Sequence, residues 1–196
     1  MYKLCRTEQS SQRQRQLEEG LLQAMQTRPY EEITVSDLCA AMNIPRKAFY
    51  RYFSGKDGAL HALVDHTLME YEGFIRPFFT ASGHRTLHHD MEHFFLFWKQ
   101  KEKLLAALTR SGLAGELIQR SVNYAMSDFA FPGRFLPNED RDTQRHVVSF
   151  AVCGLLSMTL QWYTGGFRED VSRMASVAVR LLSRPLFPAA GSLLGL

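Results

Sequence analysis

With 196 residues, 45% of them hydrophobic, the chain can form one compact unit or a small domain packed on a larger one. A net charge of +3, with nine cations against eight carboxylates in residues 1–65, argues against a diffuse polybasic nucleic-acid binder. No apolar leader opens the chain, and its most apolar stretch, Val147 to Tyr163, is broken up by Ser, Thr and Gln. That argues for a cytoplasmic protein without a membrane partner.

Residues 1–9 read as a flexible arm. Arg6, with Arg13 and Arg15 just beyond it, either touches phosphate or forms a solvated basic end. A first helix is expected from Ser10 or Ser11, with Leu17, Leu21, Ala24 and Met25 as its buried stripe, and Pro29 ends it. Gly20 inside that helix costs about 1 kcal/mol against Ala, unless another helix crosses closely there. Cys5, Cys39 and Cys153 are odd in number and without a motif, and they read as reduced thiols.

From Thr34 the pattern tightens. Thr34 is a good N-cap, and Asp37 three residues later makes a capping box. Leu38, Cys39 and Met42 fall on one helical face. Asn43 follows, where a residue tolerant of φ > 0 is wanted. Ile44 plugs the turn, and Pro45 suits the first position of a new helix. On that helix Phe49, Tyr52 and Phe53 share an inner face, while Lys47, Tyr50, Arg51 and Ser54 share the opposite one, flanked by Arg46. From Pro45 to Lys56 there are four cations and no carboxylate. A short helix, a tight turn and a second helix with a basic outer face is the helix-turn-helix pattern, whose second helix enters the DNA major groove.

The run RPYEEITVSDLCAAMNIPRKAFYRYFSGKDGAL resembles the DNA-binding domain of TetR-type (TetR/AcrR) transcriptional regulators, including the Phe-Tyr-x-x-Phe of the recognition helix and the Lys after it. It departs from that pattern at Asn43 (usually Gly), Pro45 (Ser or Thr), Ala48 (Ser or Thr) and Gly58 (a helix former). The strong match covers roughly the first third of the chain; beyond it length, helical character and a WYTGGF stretch agree. The resemblance implies an all-α fold of about nine helices: a three-helix helix-turn-helix domain over residues 10–55, a connecting helix over 56–79, a ligand-binding and dimerisation domain over 80–185, and a tail, 186–196. It implies DNA contacts from Arg46, Lys47 and Arg51 to base edges and from Tyr50, Thr34 and Lys56 to phosphates, with Ala48 offering at most a methyl contact.

Further along, Lys56 opens a long helix to about Arg76 or Phe79. Thr80, Ser82 and Gly83 mark a loop, Leu87 to Trp98 a strongly aromatic helix, and Leu104, Leu105 and Leu108 a further stripe. Leu113 to Phe129 is another helix, and Phe131 to Asp140 a loop by its Pro and Gly content. Val147 to Tyr163 is apolar nearly all round, so it must be covered on more than one side. Val171 to Leu182 is a last stripe that Pro185 stops.

Phe78, Phe94, Phe97, Trp98, Phe129 and Trp162 are either plain core or the wall of a ligand cavity, with His93, Tyr124 and Gln161 as polar anchors. Val148, Val152, Leu155, Leu156, Met174, Ala178 and Leu181 are the candidates for a homodimer contact of two helices from each subunit; a buried core helix is the other reading. The His84–His88 and His89–His93 pairs have metal-ligand spacing but point in different directions, and surface histidines are the better reading. No cofactor is implied, and no nucleophile–base set or phosphate loop suggests an enzyme. The expectation is a homodimeric repressor of a palindromic double-stranded DNA operator, released by a small-molecule effector. The alternatives are a helical ligand- or partner-binding protein without specific DNA affinity, and a metal-dependent enzyme built on the histidines.

Overall fold

The computed structural model describes residues 1–5, 7–80, 86–127 and 140–183. Among them are nine α-helices and a single 3-10 turn, Tyr30–Glu32. The helices are α1 (Glu8–Thr27), α2 (Val35–Ala41), α3 (Arg46–Tyr50), α4 (Lys56–Thr80) and α5 (Leu87–Gln100), followed by α6 (Glu102–Arg110), α7 (Ala114–Ser127), α8 (Arg141–Thr164) and α9 (Val171–Ser183). The only strand-like pairing among the described residues is an isolated bridge between Tyr2 and Phe53.

Caps set most of the boundaries. Thr7 caps α1 through a box with Ser10, so the helix begins two or three residues before the expected Ser10 or Ser11. Asp140 accepts from the Asp142 and Thr143 amides, which starts α8 at Arg141. The polar turn from Arg141 to His146 carries no apolar stripe, and so only the cap announces it. Pro77 lies inside α4, which runs on to Thr80.

One continuous apolar core runs through the molecule. Leu17, Leu21, Met25, Ile33, Leu38, Phe49 and Phe53 fill the three-helix head, and Phe95, Trp98, Leu105, Leu108, Leu117 and Leu156 fill the body. The head is not a separate bead. α1 lies against both α4 and α6. The Arg110 guanidinium reaches the carbonyls of Met25 and Gln26, Gln26 donates to the Lys103 carbonyl at 3.0 Å, and the Tyr30 amide donates to Ser111 Oγ at 3.0 Å. Gly20 is where α1 is crossed: a Cβ there would run into the Met42 side chain.

In the body α9 packs on α5, and α8 packs chiefly on α7. This places most of the residues expected at a dimer contact inside the single chain. Met174 and Ala178 are buried against the chain's own α5, Val148 and Leu156 are buried within α8's packing, and Val152 and Leu155 turn toward an interior cavity. Of the seven, Leu181 alone is exposed. The side of α8 that faces solvent carries His146, Phe150, Gly154, Ser157 and Gln161, with Phe150 63% exposed. By length and a mean hydropathy of 1.3, α8 is apolar enough to cross a membrane, and only 22% of its most apolar window is buried within the chain.

Candidate nucleic-acid interface and interior cavity

The head presents α3 on a rigid mount. Thr34 and Asp37 close their box in both directions: the Thr34 amide donates to Asp37 Oδ2 at 2.9 Å, and the Asp37 amide to Thr34 Oγ1 at 3.1 Å. The bonds from Thr34, joined by Arg28 nearby, hold the Asp37 carboxyl below its usual range. At the other end of α2, Asn43 has φ 50°. The Ile44 amide bonds to the Cys39 carbonyl at 2.9 Å and the Asn43 amide to the Ala40 carbonyl at 3.1 Å, a Schellman closure. Asn thus takes the left-handed position that the resemblance assigns to Gly. Pro45 is the residue before α3, one place earlier than expected.

α3 ends at Tyr50, earlier than expected, and together with the turn of residues 51–54 it has the two expected faces. Phe49 and Phe53 are 1% exposed, with ring centroids 5.2 Å apart. Arg46, Lys47, Tyr50, Arg51 and Ser54 are exposed, and Ala48 is half-buried. The Arg46 guanidinium leans on Tyr50, 5.9 Å from the ring centroid and 3.4 Å from its hydroxyl. No carboxylate pairs with Arg46, Lys47 or Arg51 among the described residues, so three cations face outward uncompensated. Their charge is available to an anionic partner.

Two expected contacts are spent inside the protein. Lys56 Nζ donates to the carbonyls of Tyr30 at 2.6 Å, Glu31 at 3.2 Å and Ile33 at 2.8 Å, and lies 4.2 Å from the Tyr30 ring centroid. An ammonium has three donors, and all are taken. The side chain therefore ties α4 to the turn before α2, and only its backbone remains for a phosphate. The Thr34 hydroxyl is likewise engaged in the cap, donating to Asp37 at 2.7 Å.

The opening segment was expected to be free, but here it lies along the end of α3. The Lys3 amide donates to the Tyr52 carbonyl at 2.9 Å, the Ser54 amide to the Met1 carbonyl at 3.0 Å, and the Met1 amino group to Ser54 Oγ at 3.0 Å. Gly58 makes room for it: a Cβ there would stand 2.5 Å from the Met1 carbonyl oxygen. The departure at Gly58 thus has a steric cause. Tyr2 reaches further, donating to Asp65 at 2.8 Å, and Asp65 is gripped by the Arg120 guanidinium of α7, with Nε at 2.7 Å. Arg6 lies outside the described residues.

α4, α5, α7 and α8, with Leu182 of α9, line a cavity of about 390 Å³. Of the expected lining residues, Phe78, His93, Phe94, Trp98 and Tyr124 are on its wall, and Phe129 lies outside the described residues. Three are not on the wall. Phe97 is wedged between the rings of Tyr71 and Phe74, at 5.2 and 5.7 Å. Trp162 packs on Phe95 and Phe167 and donates to the Glu169 carbonyl at 3.0 Å. Gln161 is exposed on the outer side of α8. In their place stand Tyr71, Glu72, Asp90, Met91, Ser121 and the four α8 residues once assigned to a dimer. The Tyr124 hydroxyl donates to Glu72, which Arg76 also binds; these bonds hold the Glu72 carboxyl below its usual range.

The described histidines of the two pairs have partners of their own. His88 meets Ser176 at 3.0 Å, His89 meets Thr86 at 3.2 Å, and His93 donates to the His89 carbonyl at 2.7 Å while stacking on Phe78. His84 lies outside the described residues. Among the described residues no three potential ligands converge on a metal-sized site.

Residues 19–63 match the family model described as bacterial regulatory proteins, tetR family. The fold is that of the fatty acid degradation regulator FadR from Bacillus halodurans, with a TM-score of 0.62 at 17% identity over 88% of this chain and 95% of that one. It is also that of the dihydroxyacetone kinase operon activator DhaS, with a TM-score of 0.54 at 14% identity over 87% and 93%. A TetR/AcrR-family regulator from Thermobifida fusca aligns at 15% identity over 90% and 100%, but its TM-score of 0.44 is too low to weigh further. No curated protein matches the sequence.

Proposed function

We propose that this chain, whose residues 19–63 match the tetR family of bacterial regulatory proteins, is a cytoplasmic repressor of that family that binds a palindromic operator as a homodimer and leaves it when a small molecule fills the cavity. The match over residues 19–63 supports a DNA-binding regulator over an enzyme. The observation that carries the reading is the outer face of α3 and the turn after it, where Arg46, Lys47 and Arg51 are exposed with no carboxylate partner among the described residues, above a buried Phe49 and Phe53.

Within that face, arginine forks suit guanine edges and Tyr50 suits a phosphate. One such helix reads few base pairs, so two heads about 34–36 Å apart are needed to read two half-sites. The outer side of α8 around Phe150 is the surface we assign to the second copy, with the exposed end of α9 at Leu181 beside it. Pairing there would also cover a helix that the single chain leaves largely bare.

The test is a gel shift with operator fragments drawn from the chain's own upstream region, repeated over a range of salt. Specific binding should fall steeply with salt, since phosphate contacts release counterions. Lys47→Ala with Arg51→Ala should abolish it while the helical content stays intact. Unchanged operator affinity in that double variant would remove α3 from the interface.

A further inference from the structure

We propose that the cavity is built for a neutral, largely apolar molecule carrying one acceptor oxygen, such as a ketone, ester or lactone, and not for a carboxylate or an ammonium. The inference rests on the ligand-responsive reading above and names the chemistry of that ligand.

Two buried donors carry it. Among the described residues Trp98 Nε1 and Ser121 Oγ have no hydrogen-bond partner, and both residues line the cavity. Trp98 is 1% exposed and Ser121 6%. Buried polar groups are nearly always bonded, so two orphans on one cavity wall point to a missing partner. An indole N–H is a donor only, and the partner must therefore bring an acceptor. A serine hydroxyl can rotate to donate to the same kind of atom. An ammonium has no lone pair to offer, so it would leave Trp98 unsatisfied although the aromatic wall suits a cation.

A carboxylate has the lone pairs but no permanent counter-charge. The described lining contains no Lys or Arg; its titratable residues are Tyr71, Glu72, Asp90, His93 and Tyr124, and the His93 ring is already spent on the His89 carbonyl and the Phe78 face. Burying an unpaired anion is far costlier than burying a neutral carbonyl. Glu72 does not call for a cationic ligand either. It already accepts from Tyr124 and from Arg76, and its charge is balanced at the mouth. The rest of the wall, from Leu68 and Phe94 to Leu156, is apolar. Such a lining, with few convergent polar groups, is the usual form of a small-molecule site.

Four probes of one shape separate the possibilities: benzylacetone, phenylbutyrate, phenylbutylamine and butylbenzene, titrated calorimetrically into the full chain. Benzylacetone should bind tightest, with both charged probes at least tenfold weaker. Ser121→Ala and, separately, Trp98→Phe should each weaken benzylacetone by about five- to tenfold and leave butylbenzene unchanged. Ser121→Ala keeps the test valid should Trp98→Phe unfold. Tighter binding of either charged probe overturns the proposal, as does binding of none of the four. Benzylacetone that binds as expected yet leaves operator affinity untouched would instead sink the ligand-responsive reading and spare the ligand class.

Discussion

Two lysines nine residues apart have opposite tasks. Lys56 spends its three donors on the carbonyls of Tyr30, Glu31 and Ile33, whereas Lys47 has no partner in the described chain. Lys56→Met should therefore cost about 2 kcal/mol of stability, and Lys47→Ala less than about 0.5 kcal/mol. Urea titrations measure the first. Lys47→Ala should instead lower the salt slope of DNA binding by about one. A stable Lys56→Met variant with a reduced salt slope would exchange the two roles. None of this division was legible in the sequence. A lysine after Ser-Gly at a helix start reads as a phosphate contact, and no local pattern announces three carbonyls from a distant turn. Two tyrosines add a pH dependence. Tyr2 is pushed up to about 12, by burial first and then by its bond to Asp65. Tyr30 goes higher still, through burial and its bond to Asp57. Above the ordinary value near 10 the unfolded chain releases these protons while the folded chain keeps them. Their contribution is thus full below about pH 10 and is lost as pH rises toward 12. Tyr2→Phe should make the alkaline decline shallower in denaturant midpoints, and an unchanged decline would show that Tyr2 titrates normally.

Elements were easier to read than their faces. Thr34, Asp37, Asn43 and Pro45 carry local backbone chemistry, so α2, the turn and α3 could be placed from the residues alone. α8 lacks a single stripe: Val147, Val148, Phe150, Val152, Leu155 and Leu156 cover most of its circumference. Periodicity could find that helix but could not say which side meets α7 and the cavity and which meets solvent. The outward side makes its own claim. Phe150→Glu should turn a dimer into a monomer by light scattering with helicity unchanged, and a dimer that survives it would move the contact elsewhere. The opening segment is a second case of faces decided at long range. Because Gly58 lies under the Met1 carbonyl, Gly58→Ala must displace residues 1–3. In a chain cut back to begin at Thr7, the same change should stabilise by about 0.5–1 kcal/mol through helix propensity alone. In the intact chain it should be neutral or destabilising. Equal effects in the two backgrounds, by a thermodynamic cycle, would mean that the segment does not rest there.

At the scale of the whole molecule, α7 touches both ends of the problem. Ser121, Tyr124 and Ala125 face the cavity, and Tyr124 holds Glu72 of α4. One turn earlier, Arg120 grips Asp65 of α4, and Asp65 accepts from Tyr2, whose neighbours are bonded to the end of α3. On the ligand-responsive reading proposed above, a ligand that displaces Tyr124 would shift α7 against α4, and the Arg120–Asp65–Tyr2 chain would pass that shift to α3. Coupling of this kind is a free energy, typically about 1–3 kcal/mol, or 5–150-fold in affinity, and it is reciprocal. Operator DNA must therefore weaken ligand binding by the same factor by which ligand weakens operator binding. Tyr2→Phe removes one hydrogen bond from the chain and leaves the cavity, the Arg120–Asp65 pair and the outer face of α3 intact. It should change ligand affinity and ligand-free operator affinity by less than about threefold each, while cutting the coupling factor by about fivefold, the worth of one hydrogen bond. Calorimetry with and without operator reads all three quantities from one preparation. Full coupling in Tyr2→Phe would mean that the signal reaches the heads by other routes, through α4 itself or through α6 and α1 by way of the Arg110 clamp on Met25 and Gln26.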